Sequence, residues 1–224
     1  MCGRFVQYSD PEIDASHFDL DDICQASPRY NVAPTQRVLA IRATDEGKRE
    51  LVPLRWGLVP AWSKGPDNRY SMINARAETV KSKPAYRNAF KQRRCLIPAE
   101  GFSAWKTGKG GKTPFLIRRG DGEPFAMAGR WERWHAPEGN PIAFCTIIVT
   151  DANALVRAIH DRIVILQRKD FAAWLDPANQ DAEGLLALLN PADPAPWTLY
   201  PVFRQVNSPR NDSPKLLEPV EAAG

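Results

Sequence analysis

No stretch of the 224-residue chain approaches the roughly 20 consecutive apolar residues that a membrane-crossing helix needs. Its longest nearly apolar run, Ala143 to Val149, has the length of a strand, and the opening MCGRFVQYSD lacks the apolar core of a secretory leader. The expectation is a protein of the cytoplasm, nucleoid-associated, with no membrane partner. Cysteine and histidine are scarce. Cys2, Cys24, Cys95 and Cys145 show no C-x-x-C spacing, and His17, His135 and His160 do not pair at ligand spacing. This pattern fits reduced thiols and offers no metal site. Neither G-x-G-x-x-G nor G-x-x-x-x-G-K-[ST] occurs, so no motif argues for a dinucleotide or a P-loop nucleotide, and no cofactor is expected.

What is present is an ordinary globular composition, 43% apolar and 25% charged, with 20 prolines and 14 glycines spread through the chain rather than gathered in a linker. That argues for a single domain over 1–224 with a flexible tail of a few residues. Strands are expected at Gly3–Gln7, Val38–Arg42, Glu50–Leu54, Arg94–Ile97, Phe102–Lys106, Pro114–Arg118, Phe125–Trp131 and Ile142–Val149, where β-branched and aromatic residues alternate with turn residues. Helices are expected at Pro11–Phe18, Pro84–Gln92, Ala152–Ile159, Lys169–Leu175 and Ala182–Leu189, with Asp10 and Asp181 at cap positions. The fold class is α+β: curved, mostly antiparallel sheets forming a pseudo-barrel, flanked by short helices.

The net charge of +4 conceals an uneven distribution. Between Leu51 and Arg119, 15 lysines and arginines face only Asp67, Glu78 and Glu100, a local +12, which leaves −8 for the rest. Aromatic residues interleave with this stretch at Trp56, Trp62 and Tyr70. Trp56 in RWGLVP reads as core and Trp62 as the exposed candidate for stacking on a base. A basic face of this kind suits a polyanion; a solvated surface is the plainer alternative.

Cys2 follows the initiator methionine, and cysteine is small enough for that methionine to be trimmed. The product carries a free α-amine and a thiol on one residue. An α-amine titrates near pH 8, about two units below lysine, so more of it is neutral and nucleophilic at pH 7. The thiol can add to an imine formed by the amine and an aldehyde, closing a five-membered thiazolidine with the advantage of an intramolecular step. Arg4 is expected to favour the thiolate. His160, just past a helix, and Asn74, in SMINARAET, are each open to plainer readings, as a loop histidine and a helix cap.

The segments MCGRF, YNVAPTQ, RWGLVPAW, NARAET, RCLIPAEGF, AGRWERW, TDAN, HDR and the closing YPV and NSP run in one order nearly end to end. In these segments the chain resembles the SOS response associated peptidase (SRAP) family. The resemblance implies a monomeric sensor of abasic sites in single-stranded DNA, which crosslinks to the lesion through a thiazolidine on the mature N-terminal cysteine. Carried over by motif, Cys2 is the nucleophile, Asn74 orients the amine or sugar, and His160 stabilises or protonates the sugar oxygen. Arg4, Arg76 and Arg162 match positions that hold phosphates, Thr150 lies with them, and Trp62 matches an aromatic wedge.

One departure matters. The family commonly reads GFYEW where this chain reads GFSAW, so Ala104 stands where a glutamate helps open the closed sugar and reverse the crosslink. Alanine moves no proton. Glu100 lies four residues earlier, about 13 Å along an extended strand, and substitutes only if the chain turns; Glu78 is the other carboxylate near by motif. The expectation is crosslinking with slowed ring opening or reversal. Two alternatives stay open: a Cys2–His160 peptidase acting on its own leader, and a noncovalent single-strand binder whose reactive centre has decayed.

Overall fold

The structure, a computed structural model, describes residues 2–22, 25–59, 72–108, 110–135, 140–191 and 193–221. The chain runs from β1 (Phe5–Gln7) through α1 (Pro11–Phe18) to β2 (Arg29–Val32), β3 (Arg37–Ala43) and β4 (Arg49–Trp56). After β5 (Asn74–Arg76) come α2 (Ala77–Val80), α3 (Pro84–Gln92), β6 (Arg94–Ala99), β7 (Gly101–Gly108), β8 (Gly111–Arg119), β9 (Phe125–Trp134) and β10 (Ile142–Asp151). The last part holds α4 (Ala154–Arg157), β11 (Arg162–Ile163), β12 (Ile165–Leu166), α5 (Phe171–Leu175), α6 (Ala182–Ala187) and β13 (Trp197–Pro201).

Five strands close on themselves: β10 pairs β4, which pairs β3, then β6, then β9, and β9 pairs β10 again. The ring leaves no free edge among its members, and β11 and β12 extend it. A second sheet has the order β13-β8-β7-β1-β2. Among the described residues all strand pairings are antiparallel except those of β10 with β4 and with β5. The expected pseudo-barrel with short flanking helices is therefore the observed architecture.

Alternation along the ring strands feeds two cores. In β10, Cys145, Ile147 and Val149 join a cluster with Phe5, Trp56, Phe102 and Trp197, whereas Phe144 and Ile148 join Phe18, Tyr86, Phe90 and Trp174 beneath the helices. Strand β6 divides likewise, Cys95 and Ile97 to one side and Leu96 to the other. Two buried faces explain why these strands read as apolar runs rather than as an alternating pattern. Closure also demands one small residue. Gly129 lies opposite both Cys95 and Ile147, and a Cβ there would sit 2.9 Å from the Cys95 sulfur and 3.3 Å from the Thr146 carbonyl.

The helices start where local chemistry starts them. Asp10 accepts from the Glu12 N–H at 2.9 Å, and Pro11 and Pro84 occupy first helical positions, where a missing N–H costs nothing. The helix expected at Ala152–Ile159 is shortened to Ala154–Arg157 because Asn153 is its cap, accepting from the Val156 N–H at 3.0 Å. The helix expected at Lys169–Leu175 begins instead as a 3-10 turn over Arg168–Asp170.

Candidate reactive cysteine and nucleic-acid interface

Cys2 stands just ahead of β1 and is 5% exposed, in one apolar cluster with Phe5 and Ala104. The side-chain amide of Asn74, first residue of β5, donates to the Cys2 carbonyl at 2.8 Å. Its Oδ1 is buried without a partner, so an unfilled acceptor remains beside residue 2. Asn74 is thus a strand residue against Cys2, not the helix cap its sequence also allowed; Arg76 holds the cap position of α2.

The parallel register of β5 on β10 sets Asn74 opposite Ile147 and Arg76 opposite Val149. On the other side of β10, Thr150 pairs Ile163 and Asp151 pairs Arg162. The register therefore gathers Asn74, Arg76, Thr150 and Arg162 around the C-terminal end of β10. His160 lies in the turn before β11. Its backbone N–H donates to the Val156 carbonyl at 2.8 Å, and its Nδ1 accepts from the Arg162 N–H at 3.1 Å. A neutral ring so held carries its proton on Nε2. Burial pulls the His160 pKa below 6.5, and the positive chain terminus adds to the effect.

Burial also pushes the Cys2 thiol up to about 12, outweighing the chain terminus and the hydrogen bond its Sγ makes to the Arg4 carbonyl at 3.7 Å. The expected help from Arg4 is absent. Its guanidinium instead donates to the Gly3 carbonyl at 2.7 Å and the Asn207 carbonyl at 3.2 Å. Arg162 pairs with Glu78 and, at 3.1 Å, with Asp151, while Arg76 is exposed. Trp62 lies outside the described residues. An open groove of about 900 Å³ runs from His160 past Arg157, Trp105, Lys106 and Lys112 to Asn207.

The two carboxylates considered as substitutes for the family glutamate are engaged elsewhere. Glu100 accepts from the Tyr8 N–H and the Ser9 hydroxyl, each at 2.6 Å, at the far end of β1 from Cys2. Burial works against the Glu78 carboxylate, but hydrogen bonds from its own backbone and from Arg162 prevail and hold its pKa below the ordinary value. Position 104 itself is buried in the same apolar cluster as Cys2, and its alanine adds no titratable group there.

The +12 stretch is only partly a face. Arg94 is 3% exposed and spends its guanidinium on carbonyls, Arg93 pairs with Glu132, and Arg119 with Asp121. Sequence reasoning also missed Asn207 and Trp105, whose only signal was membership of the NSP and GFSAW segments.

The SOS response associated peptidase (SRAP) family profile matches residues 1–209. The abasic site processing protein YoqW of Bacillus subtilis is 43% identical over 223 residues, covering 97% of this chain and 99% of that one. The abasic site processing protein YedK of Escherichia coli is 31% identical, covering 98% and 100%. A protein of Bacteroides thetaiotaomicron superposes with a TM-score of 0.85 at 25% identity, over 98% of this chain and 100% of that one. With the profile covering nearly the whole length and a relative 43% identical over 97% of it, the chain belongs to the SOS response associated peptidase family.

Proposed function

We propose that the protein captures abasic sites in single-stranded DNA by a covalent bond to Cys2. The observation that carries this reading is the hydrogen bond from Asn74 to Cys2, made from a strand whose register also brings Arg76, Thr150 and Arg162 to the same end of β10. A group able to trap an aldehyde is thereby surrounded by groups able to hold sugar and phosphate. The names of the YoqW and YedK relatives, both abasic site processing proteins, support the same lesion.

Removal of Met1 frees the Cys2 amine. The amine attacks C1′ of the ring-opened deoxyribose and releases one water, leaving an imine. The thiol then adds across the C=N bond: sulfur bonds to carbon, and the thiol proton ends on nitrogen. A thiol held up by burial adds poorly on its own, so its proton passes to the imine nitrogen as sulfur adds, while the Nε2–H of a neutral His160 can donate to the sugar oxygen. The unfilled Asn74 Oδ1 can accept from the amine and hold its lone pair toward the sugar. Arg76 and Arg162 supply phosphate contacts, Arg162 by exchanging its carboxylate partners for a phosphate. With Ala104 and the engagement of Glu100 and Glu78, ring opening and reversal lack a dedicated carboxylate, so both run slowly.

The test is incubation of the mature protein with a single strand carrying one abasic site. A denaturant-stable adduct, lost in Cys2→Ala, is expected, and Ala104→Glu is expected to speed formation and reversal by about tenfold or more. An undiminished adduct from Cys2→Ala, or none from the wild type, overturns crosslinking. Unchanged rates in Ala104→Glu overturn the slow-reversal half.

A further inference from the structure

Asn207 sits in a turn that the rest of the fold holds firmly. The Asn31 amide, on a residue 1% exposed, lies within hydrogen-bond distance of the carbonyls of Val206 (3.2 Å), Ser208 (3.0 Å) and Asn211 (2.8 Å). From the other side the Asp212 carboxylate accepts from the N–H groups of Tyr30 (2.5 Å) and Asn31 (3.0 Å) and from the Arg29 guanidinium (2.8 Å). Residues 206–212 are thereby pinned to β2, and Asn207 has little freedom of its own. Its two oxygens point to two different elements. The carbonyl accepts from the Arg4 guanidinium at 3.2 Å, and Oδ1 accepts from the Trp105 indole N–H at 2.8 Å. Trp105 and Asn207 both line the groove that opens at His160.

We propose that Asn207 is a positioning residue for nucleic acid: it locks the Trp105 ring and the Arg4 guanidinium into one wall of the groove, so that a single strand meets a preformed surface. The proposal rests on the single-strand reading given above. The Trp105 ring packs on one side against Leu116, Val202 and Val206, and a ligand that needs one rotamer must bear the cost of whatever selection that packing leaves open. The hydrogen bond at 2.8 Å makes that selection in advance. Arg4 follows the same logic, since its guanidinium is half-buried, burial disfavours its charge, and its Nε has no partner, so the Asn207 carbonyl is one of the few acceptors that keep it in place. Asparagine suits the position because it offers an acceptor without adding a negative charge to a surface that must meet phosphates.

The test is a double-mutant cycle of Asn207→Ala and Trp105→Phe, the latter deleting the indole N–H and keeping a ring. The dissociation constant for a labelled oligothymidine is measured by fluorescence anisotropy, and crosslinking to an abasic strand is followed as a function of DNA concentration. Each single variant is expected to raise the dissociation constant and the half-saturating DNA concentration about three- to tenfold, the scale of one lost hydrogen bond. The double variant is expected to be no worse than the poorer single, because both remove the same bond. A merely structural role would lower the melting temperature without moving the affinity of the folded fraction. Unchanged affinity in Asn207→Ala, or effects that multiply in the double variant, overturn the positioning role and leave the single-strand reading intact. A wild-type protein that neither binds nor crosslinks single strands overturns that reading first, and the role of Asn207 with it.

Discussion

Glu100 supplies a prediction about pH. The residue is 4% exposed between β6 and β7, and burial, together with the charge of Asp14, pushes its carboxyl up to about 7 from the ordinary 4.5, against the hydrogen bonds from Ser9 and Tyr8. Asp14 shares the same cavity of about 220 Å³, its Oδ1 is buried without a partner, and burial raises its pKa to about 6. Ser9 stands between the two with one hydroxyl proton, so it cannot donate to both carboxylates at once. The cluster therefore favours an extra proton. Arg29 and Arg37 line the cavity, Asp10 acts on Asp14, and Arg118 and Tyr8 complete the charged and titratable surroundings.

The sign follows from linkage. A carboxyl that titrates higher in the folded chain than in the unfolded one stabilises the fold fully below its unfolded value, and that contribution is lost as pH rises through the folded value. For Glu100 the window runs from 4.5 to about 7. At about 1.4 kcal/mol per pH unit, the loss across it is about 3 kcal/mol. Asp14 adds to it in the same direction. Glu100→Gln freezes the neutral form: its oxygen can accept from the Tyr8 N–H while its NH₂ donates to Ser9, whose proton is then free for Asp14. Urea unfolding from about pH 5 to about pH 8 should place the variant within about 1 kcal/mol of the wild type at the acid end and above it by about 2–3 kcal/mol at the alkaline end. A difference that stays flat with pH, or a wild type that gains stability relative to the variant as pH rises, refutes the reasoning.

Arg94 uses all five of its N–H groups on carbonyls, those of Trp174, Phe90, Lys91, Asp176 and Asn179, joining the end of α3 to the end of α5. Arg94→Met leaves those acceptors without donors and should cost at least about 3 kcal/mol in urea unfolding, with Arg94→Lys recovering only part; a cost below about 1 kcal/mol would falsify this account. Single-strand affinity should fall with salt, and Arg76→Ala should reduce the log–log slope by about 0.7, the value for one phosphate on a single strand. An unchanged slope removes Arg76 from the phosphate contacts. Gly129→Ala should destabilise the protein by about 1–3 kcal/mol, since its Cβ meets Cys95 and Thr146 inside the closed ring; a neutral effect in thermal unfolding contradicts that packing.

The parts of the fold that announce themselves locally were legible in the sequence. Helices α1 and α3 begin at Pro11 and Pro84, each fixed by proline geometry, and end where expected. The long ring strands carry enough β-branched and aromatic residues to be recognised. Strand β5 was not legible, because three residues, Asn74–Arg76, become a strand only by lying against β10. The same holds for the site. Cys2 drew attention through its chemistry, but its contact with Asn74 spans 72 positions and is created by a parallel register that no local pattern encodes. Charge misled in part, because a count treats Arg94 like a surface lysine, and only packing shows it to be an internal staple.

The turn over residues 206–212 also sets an order in time. Its bond to Arg4 spans 203 positions, and its bonds to Asn31 span 175 to 180. A ribosome makes Arg4 203 positions before Asn207, so the groove wall cannot exist on a nascent chain until the turn has emerged. Cys2 is made early, but the surface proposed to bring it DNA is made later. Chains cut short before Val206 would carry the cysteine without that wall, and under the positioning role proposed for Asn207 they would bind a single strand more weakly.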